Sequence, residues 1–148
     1  MHHGHHFHAP LFARDLQRLK SEIEAFPDAA SLWRVNGTIT NSAGNLCLHM
    51  CGNLQHFIGA TLGKSDYVRD RTAEFGKRDV PITELIAEID RTTEVVRSVL
   101  AKLNDADVAG PFPIKMFDKE MSTVEFMMHL EGHLNYHLGQ INYLRRMA

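Results

Sequence analysis

The chain has 148 residues, 44% of them hydrophobic and 23% charged, and its formal net charge at pH 7 is −2, which together indicate one globular domain of ordinary composition. The slightly acidic balance argues against a nucleic-acid partner, which would require a basic face. No apolar run approaches the roughly 18 residues of a membrane span and no signal-peptide pattern opens the chain, so we expect a cytoplasmic protein that does not enter a membrane.

The first nine residues are rich in histidine. Residues 1–9 hold five of the ten histidines in the chain, and their composition predicts a disordered tail. The tract is either a native metal-binding segment or a remnant of the expression vector. The folded domain is therefore expected to span residues 10–148.

The first predicted helix spans residues 10–26. Pro10 suits a first helical turn, and Pro27 cannot continue the helix. Apolar residues between the two prolines recur at steps of four and three, the spacing of a buried helical stripe: Phe12, Leu16, Leu19, Ile23 and Phe26. Residues 28–41 are predicted as a connection, in which Trp33 either packs at the rim of the core or lines a pocket.

The second predicted helix, residues 42–62, carries two histidines on a small, polar patch. His49 and His56 are seven residues apart, so on an α-helix their directions differ by only about 20°. A polar patch on an otherwise apolar helix is what an internal site requires, because buried polar groups need partners. Cys47 and Cys51 fall on the opposite face, and we expect them to be buried free thiols rather than metal ligands.

Two irregular connections are predicted, one on each side of the third helix. Residues 64–79 mix acidic and basic side chains, a composition typical of a solvated linker. The third helix begins after Pro81, and its apolar stripe indicates core packing without chemistry: Ile82, Ile86, Ile89, Thr93, Val96, Leu100 and Leu103. Residues 105–121 form a connection that is too long for a tight helical hairpin.

The fourth predicted helix, residues 122–146, starts with a capping box and carries a histidine stripe. Ser122 and Glu125 have the spacing at which each side chain satisfies a free amide of the first turn. Three histidines then recur at every fourth residue on one face, followed by an amide one turn further on: His129, His133, His137 and Gln140. Side chains at this spacing have Cβ atoms about 5–6 Å apart, so two of these imidazoles can bind one metal ion.

Four amphipathic helices predict an all-α four-helix bundle, a fold that builds metal sites from side chains on facing helices. The sequence therefore predicts a divalent metal ion bound by His49 of the second helix and by His133 and His137 of the fourth. Three protein ligands leave a coordination position for water or substrate, as in catalytic zinc sites. No carboxylate lies on the histidine face to act as a general base. Three further side chains are predicted to orient these ligands or to add to them: His56, His129 and Gln140.

Three motifs resemble the DinB-like (YfiT-like) superfamily of metal-dependent proteins. They are Ser42–Asn53, Arg69–Phe75 and His133–Ile141, of which the last, with its His-x-x-x-His-x-Gly-Gln pattern, is the most specific. The resemblance covers about residues 10–148 and implies a four-helix bundle of up-down-down-up topology with long crossover connections, frequently dimeric. It also implies a divalent ion, nickel, zinc or iron, on three histidines, which correspond to His49, His133 and His137.

Some members of this superfamily resemble transferases in which a metal holds a low-molecular-weight thiol, such as bacillithiol or mycothiol, against an electrophile; others resemble hydrolases. The resemblance thus implies a homodimeric metal-dependent thiol S-transferase or hydrolase that acts on a small electrophilic molecule. One alternative is a dimeric, metal-binding stress-response protein without turnover, and another is a structural bundle whose histidines are satisfied interior residues. An open coordination position beside an apolar pocket favours the enzyme, whereas His56 or His129 as a further ligand favours a non-catalytic site.

Overall fold

The computed structural model describes residues 8–148. Over this range the chain is all-α, as predicted, and its only extended pairings are two isolated β-bridges. A 3₁₀ turn, Ala30–Trp33, lies in the first connection, and a π-helix, Gln55–Leu62, extends the second helix. The α-helices are α1 His8–Glu24, α2 Ala43–Leu54, α3 Arg71–Gly76, α4 Ile82–Ala101, α5 Asp105–Ala109 and α6 Thr123–Met147.

The four long helices, α1, α2, α4 and α6, pack around one core. Helices α4 and α6 each contact both α1 and α2, and apolar side chains between them form a single buried cluster. The stripe predicted for α1 is confirmed, since all five of its members are buried. Among the described helices, none combines the length and the hydropathy that crossing a bilayer requires.

The ends of α1 differ by two residues from the prediction. The helix begins at His8, so the predicted tail, residues 1–9, is wrong for its last two residues, and the rest of that tail lies outside the described range. At its other end the helix stops at Glu24, and Phe26 packs into the core from the turn that follows.

The described residues contain six α-helices where the sequence predicted four, because polar side chains cap two additional short ones. Asp70 caps α3 by accepting an amide hydrogen bond of 3.0 Å. Asn104 and Asp107 form a reciprocal capping box on α5. The box predicted for α6 is confirmed, since Ser122 and Glu125 form it. Short capped helices of this kind carry no apolar period, so the pattern used for the long helices does not find them.

The second long helix changes its hydrogen bonding along its length. From Gln55 onwards it is a π-helix, and the amide of Gly63 bonds to the carbonyl of Ile58, five residues earlier, at 2.9 Å. A π-turn changes the angular spacing of side chains. The angle of about 20° predicted between the directions of His49 and His56 holds only for a regular α-helix. It therefore does not apply here, because His56 lies in the π-helix.

Helix α4 buries a wider face than predicted. Three members of its predicted stripe are buried, and so are two residues outside it: Leu85 and Thr92. Because α4 lies against both α1 and α2, a single stripe does not cover both contacts. The hydroxyl of Thr92 accepts a hydrogen bond of 3.0 Å from the side chain of Gln55, which satisfies the buried polar groups on both helices.

Trp33 and both cysteines have packing roles. Trp33 is partly buried at the rim of the core, with its ring against Gly44 of α2. Cys47 and Cys51 are buried and free, as predicted. A hydrogen bond with Cys51, together with burial, raises the pKa of the Cys47 thiol, so this thiol stays protonated and is poorly suited to bind a metal ion.

A pair of neighbouring carboxyl groups, Asp15 on α1 and Glu131 on α6, lies between these two helices. The side chain of Asp15 is fully buried and accepts a hydrogen bond of 2.9 Å from Arg14. The amide of Asn135 donates to both carboxyl groups, at 2.9 Å to Asp15 and 3.2 Å to Glu131. Burial and the neighbouring Asp15 raise the pKa of Glu131 to about 8.

We expect Glu131 to lower the free energy of unfolding as the pH rises from about 4.5, its ordinary pKa, to about 8. A carboxyl group with a raised folded-state pKa holds its proton more tightly in the folded state, so its deprotonation disfavours that state. In Glu131→Gln this dependence is absent, and the variant should gain stability relative to the parent as the pH rises through this window. Urea unfolding at several pH values measures the difference, with the exposed Glu120→Gln as control. A constant difference between parent and Glu131→Gln would contradict the prediction.

Candidate metal centre

Helices α2 and α6 bring three histidines together. His49 lies on α2, and His133 and His137 lie one turn apart on α6. The Nε2 atom of His133 is 3.1 Å from the Nε2 atoms of both His49 and His137. One ligand nitrogen from each residue lies within 4.8 Å of the other two, and this is the cluster of metal-ligating side chains found in the described part of the chain.

The geometry of this cluster fits a metal ion. Two nitrogens bound to one tetrahedral ion at 2.0–2.1 Å are about 3.3 Å apart, close to the observed separations of 3.1 Å. Imidazole nitrogens suit zinc, nickel, iron and copper. Since the third pair of ligand atoms also lies within 4.8 Å, the three histidines could hold one such ion.

Glu74 holds His49 in the orientation that the cluster needs. The Nδ1–H of His49 donates to Oε1 of Glu74 at 3.0 Å, which leaves the lone pair on Nε2 to point towards the other histidines. Arg69 donates to both oxygens of the same carboxylate, at 2.8 and 2.9 Å. Burial by itself raises the pKa of Glu74, but hydrogen bonds from His49 and Arg69 outweigh it and bring the pKa below its usual value. Glu74 is therefore an ionised hydrogen-bond acceptor.

Gln140 makes the corresponding contact to His137. Its side-chain oxygen lies 2.8 Å from Nδ1 of His137. Because an amide oxygen only accepts, Nδ1 carries the proton and Nε2 carries the lone pair. In both His49 and His137, Nδ1 is thus bonded to a hydrogen-bond acceptor, which leaves Nε2 as the atom that can bind a metal ion.

His133 and His137 are neutral near pH 7. Burial, together with the neighbouring His137 and His49, lowers the pKa of His133 to about 4. Burial also lowers the pKa of His137, an effect that the hydrogen bond to Gln140 partly offsets. Neutral imidazole is the form that binds metals, so these rings are available as ligands at physiological pH.

His56 and His129 do not belong to the cluster. His56 is partly buried and packs edge-on against the ring of Phe57, with 4.7 Å between centroids. His129 is exposed and packs against Phe117 and Phe126, at 5.4 and 5.7 Å. In this arrangement neither residue supplies a further ligand atom to the three clustered nitrogens.

The prediction that residues 64–79 form a solvated linker is wrong for Glu74, whose side chain is only 6% exposed. Helix α3 turns this residue towards α2, and Asn45 of α2 fixes the end of α3 by donating to the carbonyls of Glu74 and Lys77, both at 2.9 Å. The mixture of acidic and basic residues in this segment gave no indication that Glu74 is buried. A signal was nevertheless present, because Arg69 and Glu74 both lie in the Arg69–Phe75 motif.

Gly52 makes room for the Glu74 carboxylate. A Cβ atom at residue 52 would lie 2.0 Å from Oε2 and 2.6 Å from Cδ of Glu74. This carboxylate cannot move freely, because Arg69 and His49 hold both of its oxygens. The close approach of α2 and α3 therefore requires a residue without a side chain at position 52.

We expect Gly52→Ala to displace Glu74 and to weaken zinc binding by about tenfold, the lower end of what loss of a ligand's hydrogen-bond partner costs. Competition with a chromogenic chelator measures the affinity. Gly132→Ala on α6 is the matched control, since an added Cβ there has no neighbour within 4 Å beyond the adjoining backbone of its own helix. Equal zinc affinity in the two variants would show that Gly52 has no such role.

A cavity of about 570 Å³ opens beside the cluster. His137 and Gln140 form part of its wall, and the remainder comes from residues 38–41, Leu46 and the last turns of α6. The volume lies within the range of about 300–1,000 Å³ that small-molecule sites occupy. The three-histidine cluster thus borders a space in which a small ligand could bind.

Comparison with models of protein families agrees with the resemblance seen in the sequence motifs. The family model of the DinB superfamily matches residues 11–141, a range that contains the three clustered histidines and the segment with Arg69 and Glu74. Comparisons with curated proteins and with solved structures gave no match.

Proposed function

The chain belongs to the DinB superfamily, and on this premise we propose that it is a metal-dependent enzyme, a thiol S-transferase or hydrolase, that acts on a small electrophile. His49, His133 and His137 would hold the ion through their Nε2 atoms. The observation that carries the proposal is the convergence of these three nitrogens within 4.8 Å at the edge of a ligand-sized cavity.

The donor set is compatible with nickel, zinc or iron. A bound ion of this kind would lower the pKa of a coordinated thiol or polarise a substrate oxygen. Glu74 and Gln140 would keep the lone pairs of His49 and His137 directed at it. Such outer hydrogen bonds raise the basicity of a ligand and fix its tautomer.

The surroundings of the cluster favour transfer over hydrolysis. A group that takes a proton from water assists hydrolysis, but both oxygens of Glu74, the carboxylate bonded to this cluster, are already bonded to Arg69 and His49. Transfer makes a smaller demand: the thiol proton passes to solvent, the sulfur–carbon bond forms, and the leaving group departs with its electron pair. We therefore rank the thiol transferase first.

The proposal extends to the assembly that the superfamily implies. This assembly has an up-down-down-up order of the four long helices and is a homodimer. We further propose the cytoplasmic location expected from the sequence and a low-molecular-weight thiol as co-substrate. Light scattering coupled to gel filtration tests the dimer. The cavity beside His137 is the feature that favours an enzyme over a metal-binding stress-response protein without turnover.

Turnover is tested with the full-length protein loaded with zinc, nickel or iron. 1-Chloro-2,4-dinitrobenzene serves as the electrophile with a panel of low-molecular-weight thiols, and 4-nitrophenyl acetate tests hydrolysis. We expect conjugation that requires both thiol and metal and that His137→Ala abolishes. Hydrolysis without thiol would instead support the hydrolase, and no turnover with any loaded metal would support the non-catalytic alternative.

A further inference from the structure

We propose that the cavity beside His137 binds the electrophilic substrate and that this substrate is an uncharged molecule with an aromatic ring. The inference rests on the proposed function and adds the chemical class of one reactant. It is carried by the composition of the cavity wall, by the exposed side chains at its mouth and by its contact with the histidine cluster.

The wall of the cavity carries no formal charge. Among the described residues that line it there is no aspartate, glutamate, lysine or arginine. An ion bound against this wall would lose part of its hydration without gaining a counter-ion from it, which disfavours charged ligands. Leu46, Leu144 and Met147 supply apolar surface, while the hydroxyls of Thr38 and Thr40 can pair with a neutral polar group. A charged thiol co-substrate is poorly matched to this wall, so the cavity suits the other reactant.

Aromatic and apolar side chains are exposed around the cavity. The ring of Tyr143 also lies 5.5 Å from the guanidinium of Arg146, and the ring of Tyr136 is edge-on to His137 at 5.3 Å. Tyr136 and Tyr143 are 66% and 67% exposed, and Met147 is 58% exposed. With Gln140 they recur at steps of four, three and four, so they form one stripe on α6. Exposed apolar patches of this kind mark binding sites, and phenol rings favour stacked or edge-on contact with another ring.

One residue, His137, belongs both to the cavity wall and to the histidine cluster. His137 lies in the cavity wall, and its Nε2 atom is 3.1 Å from Nε2 of His133. The opposite ring nitrogen is held by Gln140, which also lines the cavity. A molecule bound against Tyr136 and Tyr143 would therefore lie next to the position where a metal ion would hold the second reactant.

Three probes with the same ring and different charge test this inference: benzyl alcohol, benzoate and benzylammonium. Each is titrated into metal-free, full-length protein labelled with ¹⁵N, so that benzoate cannot bind an ion at the histidines, and chemical-shift changes report the dissociation constant and the site. We expect benzyl alcohol to bind at least tenfold more tightly than either ion and to shift the amides of residues 136–147. Equal or tighter binding of an ion would overturn the inference.

Two isoleucines form a matched pair of variants. Ile39 lines the cavity, Ile114 does not, and the two are 36% and 39% exposed in connecting segments. A carboxylate at position 39 places a charge in the wall, so Ile39→Asp should weaken benzyl alcohol at least tenfold, while Ile114→Asp should leave it unchanged. Equal effects of the two substitutions on the dissociation constant of benzyl alcohol would show that the cavity is not its binding site.

A cobalt-substituted sample separates failure of this inference from failure of the proposed function. Binding of benzyl alcohol should change the visible absorption of bound cobalt, because the ligand would lie beside His137; an unchanged spectrum at saturation would overturn the inference. If no metal binds, the proposed function fails, and the probe titration of the metal-free protein still decides on the cavity. A change from dimer to monomer in Ile39→Asp alone would identify a second copy of the chain as the occupant and overturn the proposal.

Discussion

Replacement of His133 by alanine is expected to abolish stoichiometric metal binding and to leave the helical content unchanged. The Nε2 atom of His133 lies between those of His49 and His137, 3.1 Å from each. Without it only His49 and His137 remain as ligands. Two ligands from different helices hold an ion poorly. The fold should persist because buried apolar residues of four long helices, rather than this ring, form the core.

Elemental analysis of protein that lacks residues 2–7 and was purified without a nickel column measures this effect. Removal of these residues eliminates adventitious binding by the histidine-rich start of the chain and keeps the whole of α1. His129→Ala is the matched control, since it removes an exposed histidine one turn earlier on the same helix. We expect about one ion per chain in the parent and the control, and none in His133→Ala. An equal metal content in all three would refute the three-histidine site.

Replacement of Glu74 by alanine is expected to have the second largest effect, on both affinity and stability. The change frees the ring of His49 and leaves Arg69, whose side chain is only 14% exposed, without its carboxylate. Loss of an outer partner of a metal ligand lowers affinity about 10- to 100-fold. Loss of one member of a buried ion pair costs about 3 kcal/mol or somewhat more.

Two further variants separate these contributions of Glu74. Glu74→Gln keeps the shape and one acceptor oxygen but removes the charge, so we expect an intermediate loss of zinc affinity and of stability. Asp66→Ala removes an exposed acidic group from the same segment and should change neither. Zinc competition and urea unfolding report the two quantities. An Asp66→Ala protein as weak in zinc binding as Glu74→Ala would show that net charge, rather than the contact with His49, controls affinity.

Several features of the molecule follow from short-range pattern alone. The buried stripe of α1, the capping box of α6 and the start of α4 after Pro81 are all as predicted. The spacing of His133 and His137 places both rings on one face for the same reason. Each of these depends on the periodicity and hydrogen bonding of one helix, which neighbouring residues determine locally.

Other features depended on which segments pack together. A π-helix from Gln55 altered the helical wheel on which the predicted alignment of His56 with His49 relied. The two faces that α4 presents to α1 and α2 brought Leu85 and Thr92 into the core. Neither effect has a local period, because each reflects the fit between helices that are distant in the chain.

The amino-acid sequence by itself determined the all-α class, the apolar stripe of α1 and the presence of two histidines on one face of α6, because the geometry of a single helix sets these properties. Only the tertiary structure decided that Glu74, in a segment that resembles a solvated linker, would lie 3.0 Å from His49. A charged side chain in a linker is equally compatible with water and with a buried partner until the chain folds back. Here Gly52 opens the space and Asn45 fixes the end of α3, so the carboxylate is paired on α2 instead of being hydrated.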